Sequence, residues 1–211
     1  MKRLFLFLLT LATFVTAFSQ SDCTLKTDKD GIKVYTCEVK NSKFKAVKSS
    51  FVLNSTLSEF GAAVMDIDHY CDWQYKTLSA KTLKKVSESE VVYYTEVAAP
   101  VLTDNRDFVI QLTMNQNPQS KVLIVDLISL PTYTAAKEGV IRVPFSKARY
   151  TVKALSAGLL HVDYYIEIDL GGNVPPWMVN MVAHEAPFKT FKDLQKIIGN
   201  YKGQGIAGIQ D

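Results

Sequence analysis

The sequence predicts an α+β domain, a bent antiparallel sheet wrapped around one long, largely apolar C-terminal helix. Three observations lead there. Ile141 to Leu170 alternates apolar and polar residues as long strands do. Gly171-Gly172-Asn173 then breaks the pattern, and Pro175-Pro176-Trp177 opens a helical one that runs to Ile198. The gaps between strand-like stretches are short and polar: Ser87-Glu88-Ser89-Glu90, Asn115 to Ser120, and Ser156-Ala157-Gly158. Gaps that short allow only hairpins, so neighbouring strands must run antiparallel. A length of 211 residues, 47% of them hydrophobic, suits one domain with a sizeable core.

The elements follow in order. Ile32 to Val39 and Phe44 to Leu53 alternate as strands, and Asn54-Ser55-Thr56 ends the second. Ser55 or Thr56 can cap a helix with Glu59 in its first turn, and Leu57, Phe60, Val64 and Ile67 share one helical face. His69 to Trp73 reads as a short turn or second helix. Six strands follow: Thr77–Ser87, Val91–Ala98, Phe108–Asn115, Val122–Leu130, Val140–Ala154 and Leu159–Leu170. The last helix, Pro175 to Ile198, carries Pro187, which should kink it. The segment 199–211 holds Gly199, Gly203, Gly205 and Gly208 and is expected as a flexible tail.

Residues 1–19 read separately, as a secretory signal: Lys2 and Arg3, an apolar run from Leu4 to Val15, and Ala17-Phe18-Ser19 before the cut. The apolar run is shorter than the roughly 20 residues of a spanning helix. An uncleaved N-terminal anchor is the alternative. Ser21-Asp22 before Cys23 does not suit a lipoprotein site. Export, periplasmic or secreted, is the expected destination. Losing Lys2 and Arg3 takes the formal charge from +3 to +1. A near-neutral chain without a basic run is a poor nucleic-acid binder.

Cys23 and Cys37 flank the turn signal Asp28-Lys29-Asp30-Gly31. A hairpin there brings the two sulfurs together, and a disulfide would stabilise by about 3 kcal/mol on the chain-entropy estimate. Two free thiols are the alternative. Cys71 is expected as a small buried hydrophobe. Asn54-Ser55-Thr56 is a glycosylation sequon, meaningful only in a eukaryotic secretory pathway.

Four segments resemble START domains, the steroidogenic acute regulatory-related lipid transfer group of the helix-grip superfamily. They are Asp30-Gly31-Ile32-Lys33-Val34-Tyr35, Asp68-His69-Tyr70-Cys71-Asp72-Trp73, Pro100 with Asn105-Arg106-Asp107-Phe108-Val109, and Gly172 to Asn180 with Pro187 and Leu194. The resemblance covers residues 30–198 within a domain of residues 23–198. It implies a helix-grip fold with an internal hydrophobic cavity between sheet and C-terminal helix, holding a lipid or sterol. Some cholesterol-carrying members place an acidic residue and an arginine inside. Tyr93 and Leu112 stand at those positions here, which implies a less charged cavity.

On that frame, Tyr93, Tyr164 and Tyr133 are the candidates for orienting a ligand's polar head. Trp73, Ile110, Leu112, Ile166, Trp177, Met178, Met181 and Val182 are the candidates for its wall. Strand alternation puts Tyr164, Ile166 and Ile168 inward and Glu167 and Asp169 outward. The plainer alternative makes the tyrosines bond each other or water, and the helix residues a core stripe. Arg106-Asp107 reads as a head-group contact or, more simply, as an ion pair holding a loop. The loop Ala98–Asp104, with Val101 and Leu102, is the expected gate. Together with the C-terminal helix it is also the candidate for transient membrane contact.

Other chemistry finds little support. Asp66, Asp68, His69 and Asp72 have no metal-ligand spacing. His184-Glu185 starts like a metalloprotease motif, but Phe188 stands where the second His belongs. The chain has no Gly-x-Ser-x-Gly, phosphate loop or dinucleotide fingerprint, so no metal, cofactor or catalytic residue is expected. The leading expectation is an exported carrier of one hydrophobic ligand. The alternatives are a cyclase- or aromatase-like enzyme using Tyr93, Tyr164, Arg142 or His184, and a ligand sensor that transports nothing.

Overall fold

The computed structural model describes residues 23–99 and 103–211. The expected signal, residues 1–19, and the tip of the expected gate, residues 100–102, lie outside them.

The chain opens with a hairpin, β1 (Cys23–Lys29) and β2 (Ile32–Cys37). Asp30 and Gly31 form its turn with positive φ at both, the backbone that glycine tolerates and aspartate accepts. The register sets Cys23 opposite Cys37, and the two are joined as a disulfide. β3 (Ala46–Leu53) pairs with β2 and leads into α1 (Leu57–Met65). The cap of α1 is reciprocal: the Glu59 backbone N–H donates to the Thr56 hydroxyl, and the Thr56 N–H donates to the Glu59 carboxylate. A 3-10 turn over Ile67–Asp72 follows.

The remaining strands are β4 (Thr77–Ser87), β5 (Glu90–Val97), β6 (Asn105–Gln116), β7 (Leu123–Ser129), β8 (Val140–Arg142), β9 (Phe145–Ser156) and β10 (Leu159–Asp169). The sheet runs β1-β2-β3-β10-β9-β7-β6-β5-β4, antiparallel throughout. One short strand departs from expectation. Val140–Ala154 is not continuous, because Pro144 cannot donate to a ladder. The piece before it, β8, turns aside and pairs parallel with β6.

The C-terminal helix also differs from the single rod expected. It is two helices, α2 (Pro176–Val182) and α3 (Glu185–Ile197). Pro187 lies in the first turn of α3, so the break falls one turn ahead of it, where the missing N–H and the ring are tolerated. Ala183 and His184 keep right-handed helical angles, so the chain bends there rather than unwinding.

The helices cover the concave face of the sheet. Phe191 of α3 stacks on Phe51 at 4.6 Å between ring centres and meets Tyr150 and Tyr164 edge-on. Phe60 of α1 meets Tyr150 edge-on from the other end. Leu57, Phe60, Val64, Phe191 and Leu194 are all buried in this one core.

Residues 199–211, expected as a flexible tail, lie against the domain. Tyr201 is buried and its hydroxyl donates to Asp66, while Ile206 and Ile209 pack on the core beside Gly61. The Gly203 N–H donates to Glu59, and Gln210 exchanges hydrogen bonds with Gln116. Glycine content suggested mobility; the contacts of Tyr201, Ile206 and Ile209 with the core are what hold the segment in place. Cys71 is exposed, because the 3-10 turn points Ile67 and Tyr70 inward instead.

Candidate functional site

Strand register defines the surface on which a ligand could lie. One row across the concave face reads Thr36, Val47, Ile166, Ala148, Leu127, Leu112. The next reads Val34, Ser49, Tyr164, Tyr150, Val125, Met114. Ile110 and Tyr93 face each other on β6 and β5. The wall is therefore apolar, with hydroxyls set into it. The Thr36 and Ser49 hydroxyls are buried and have no hydrogen-bond partner among the described residues, an expensive state for interior polar groups. Sequence reasoning did not single them out, although their strand phase beside Ile32, Val34 and Phe51 places them inward.

The aromatic end of this surface is closely built. Tyr70 donates to the Val64 carbonyl at 2.5 Å and meets both Trp73 and Tyr93 edge-on. The Tyr93 and Tyr70 rings are 5.4 Å apart, and Tyr150 lies against Tyr164 at 4.6 Å. Burial pushes the hydroxyls of Tyr70, Tyr93, Tyr150 and Tyr164 well above the ordinary phenol range. They stay neutral, suited to hydrogen bonding and unsuited to proton transfer at neutral pH. Trp73, Tyr93, Ile110 and Leu112 are buried in the core, and Tyr164 and Ile166 are half-buried against it.

The other sequence-derived wall residues lie elsewhere. Trp177 is 66% exposed and Met181 62%, and Met178 and Val182 are also exposed. The reason is the rotation of α2. The Lys45 backbone N–H donates to the Asn180 side chain at 2.9 Å, and Asn180 donates to the Lys43 carbonyl. That clamp turns Val179, Asn180 and Ala183 toward the domain. At 100° per residue, it turns Trp177, Met178, Met181 and Val182 away. An apolar stripe reads the same in sequence whichever side it faces, so only the clamp decides. Tyr133 is exposed as well, on the loop between β7 and β8.

That loop is strapped down by Arg142. Its guanidinium donates twice to Asp107, at 2.8 and 3.1 Å, and again to the carbonyls of Pro131 and Thr134. Asp107 is fully buried. The neighbours Arg106 and Asp107 therefore do not pair with each other; they point to opposite faces of β6, as strand alternation requires. Arg142 is consumed by this strap and is not free for acid–base work. His184 lies in the bend between α2 and α3, its Nδ1 buried without a partner among the described residues. Asp66 and His69 pair at 2.8 Å, and among the described residues no group of three or more His, Cys, Asp or Glu side chains gathers as a metal site.

Comparison with known proteins agrees with this geometry. The START domain family profile matches residues 20–204. An uncharacterized protein of Pseudomonas aeruginosa is 30% identical over 174 residues, 82% of this chain and 85% of that one. The phosphatidylcholine transfer protein of Bos taurus is 29% identical over 192 residues, 88% of each. A crystal structure of the STAR-related lipid transfer protein (fragment 25-204) from Xanthomonas axonopodis superposes with a TM-score of 0.78 at 25% identity, covering 84% of this chain and 98% of that one. Fold, concave surface and sequence profile together place this chain in the START domain family.

Proposed function

We propose that the protein carries or sequesters a single lipid or similar hydrophobic ligand across an aqueous, exported compartment. The observation that carries this reading is the concave face itself, with apolar rows, neutral tyrosine hydroxyls and two unpartnered buried hydroxyls closed over by α3 and the bent α2. Burial of apolar area at about 25 cal/mol per Å² would drive uptake. A ligand oxygen near Thr36 or Ser49 would satisfy the orphaned hydroxyls. Lipid-transfer relatives support the same class of ligand.

The outer face of α2 is the membrane contact in this reading. Trp177, Met178, Met181 and Val182 form an exposed apolar patch beside Lys43 and Lys45, whose backbone Asn180 clamps. Apolar anchors rimmed by lysines suit an anionic bilayer surface. Docking there would bring the bend at Ala183–His184, and so the end of the cleft, to the lipid source.

The test is native mass spectrometry of the mature protein from its own source, followed by organic extraction. A stoichiometric lipid is expected. An empty protein that also takes up nothing from a broad lipid panel would end the carrier reading. Detection of the protein in the exported fraction, lacking residues 1–19, checks the compartment.

A further inference from the structure

Arg106 occupies the inward phase of β6, in line with Phe108, Ile110 and Leu112. It is 4% exposed. Its expected partner, Asp107, is taken by Arg142 on the opposite face. Among the described residues no carboxylate forms an ion pair with Arg106; its one described hydrogen bond goes from Nη1 to the Asp104 carbonyl. Its Nε is buried with no partner among the described residues. The guanidinium reaches the turn before α2, where a Cβ on Gly172 would stand 3.5 Å from Nη2. Gly172 has φ +68°, and the tight contact a Cβ there would make is with the Ile141 side chain, at 2.9 Å, so the turn passes beside both Ile141 and the arginine.

A buried cation without a counter-ion is costly, and an orphaned donor adds to the cost. Structural arginines avoid both, as Arg142 does on the adjoining strand β8 with a bidentate carboxylate and two carbonyls. Arg106 sits at the start of β6, paired with Val97 of β5 and Ile141 of β8 and beside the turn leading into α2. Its free donors match what a guanidinium offers an oxyanion, namely planar, directional and charge-assisted bonds.

We propose that Arg106 is the receptor for an anionic oxygen group, phosphate or carboxylate, on the head of the bound lipid. This deepens the carrier reading and rests on it. The hydroxyl-studded apolar wall takes the body of the ligand, and Arg106 holds the head at the mouth. The preferred cargo is then an acidic-headed amphiphile rather than a sterol or other neutral lipid.

The experiment compares three fluorescent probes with matched acyl chains, a phosphatidic acid, a free fatty acid and a diacylglycerol. Each is titrated into the mature wild-type protein and into Arg106→Lys and Arg106→Gln, with thermal melts alongside. Wild type is expected to bind one or both acidic probes at least tenfold more tightly than diacylglycerol, and which of the two it prefers names the head. Arg106→Gln should lose that tenfold preference while keeping its diacylglycerol affinity. Arg106→Lys should keep part of the preference, since charge remains but the fork does not. Equal wild-type affinity for acidic and neutral probes overturns the proposal while leaving the carrier reading standing, even if Arg106→Gln does not fold. Failure of wild type to bind any of the three overturns the proposal, and uptake from the broad lipid panel then decides the carrier reading separately.

Discussion

Asp107 and Arg142 show what a single residue pair decides. A carboxylate at zero exposure is tolerable only because a guanidinium meets both of its oxygens. Arg142→Met should therefore cost about 3 kcal/mol by stranding Asp107, and Asp107→Asn added to it should recover a large part, read by urea denaturation. His69 sets a pH dependence of a different kind. Its hydrogen bond to Asp66 favours the charged imidazolium and raises its pKa above 6.5, with Asp72 and Asp68 adding to the effect. A raised folded-state value means the contribution is complete below pH 6.5 and fades as pH climbs through the raised value. His69→Gln should flatten that segment of the stability-against-pH curve, and unchanged curvature would show the pair to be inert.

At the level of elements, most of the fold was legible. Alternation located the long strands, Thr56 and Glu59 marked the start of α1, and Asp30-Gly31 marked the first hairpin, because each signal is local. What failed depended on long-range partners. Nothing near Trp177 reveals that Asn180 will be held by Lys43 and Lys45, more than 130 residues earlier. The hydroxyls of Thr36 and Ser49, and the solitary state of Arg106, become visible only once strands are in register. Two consequences belong to this scale. Pro187→Ala should let α3 extend back through the bend, raising hydrogen-exchange protection over 183–187. Glu59→Gln should weaken the α1 cap and loosen the segment held through Gly203, by about 1 kcal/mol. The Glu59 carboxyl is held below its ordinary 4.5, first by the Gly203 N–H. Its contribution is present above that pH and is lost as pH falls through the lowered value, so the variant should lose less stability on acidification.

At the scale of the whole molecule, the described strands form a single sheet with two edges, and each edge is secured differently. β1 is fastened to its neighbour by the Cys23–Cys37 bond. Reduction, or Cys23→Ser with Cys37→Ser, should lower stability by about 3 kcal/mol, measurable as a drop in Tm in dithiothreitol. If the thiols are already free in the purified protein, Tm will not move. β4, at the far edge, has eleven residues, three register shifts against β5, and Lys81, Lys84 and Lys85 along it. An irregular, cationic margin cannot accept the straight strand of another molecule. A smooth edge would let one molecule's sheet continue into the next, so the raggedness of β4 amounts to a colloidal safeguard. Smoothing it, with Lys81, Lys84 and Lys85 all replaced by Thr, should turn clear stocks into fibrils that bind thioflavin T without first lowering the melting temperature.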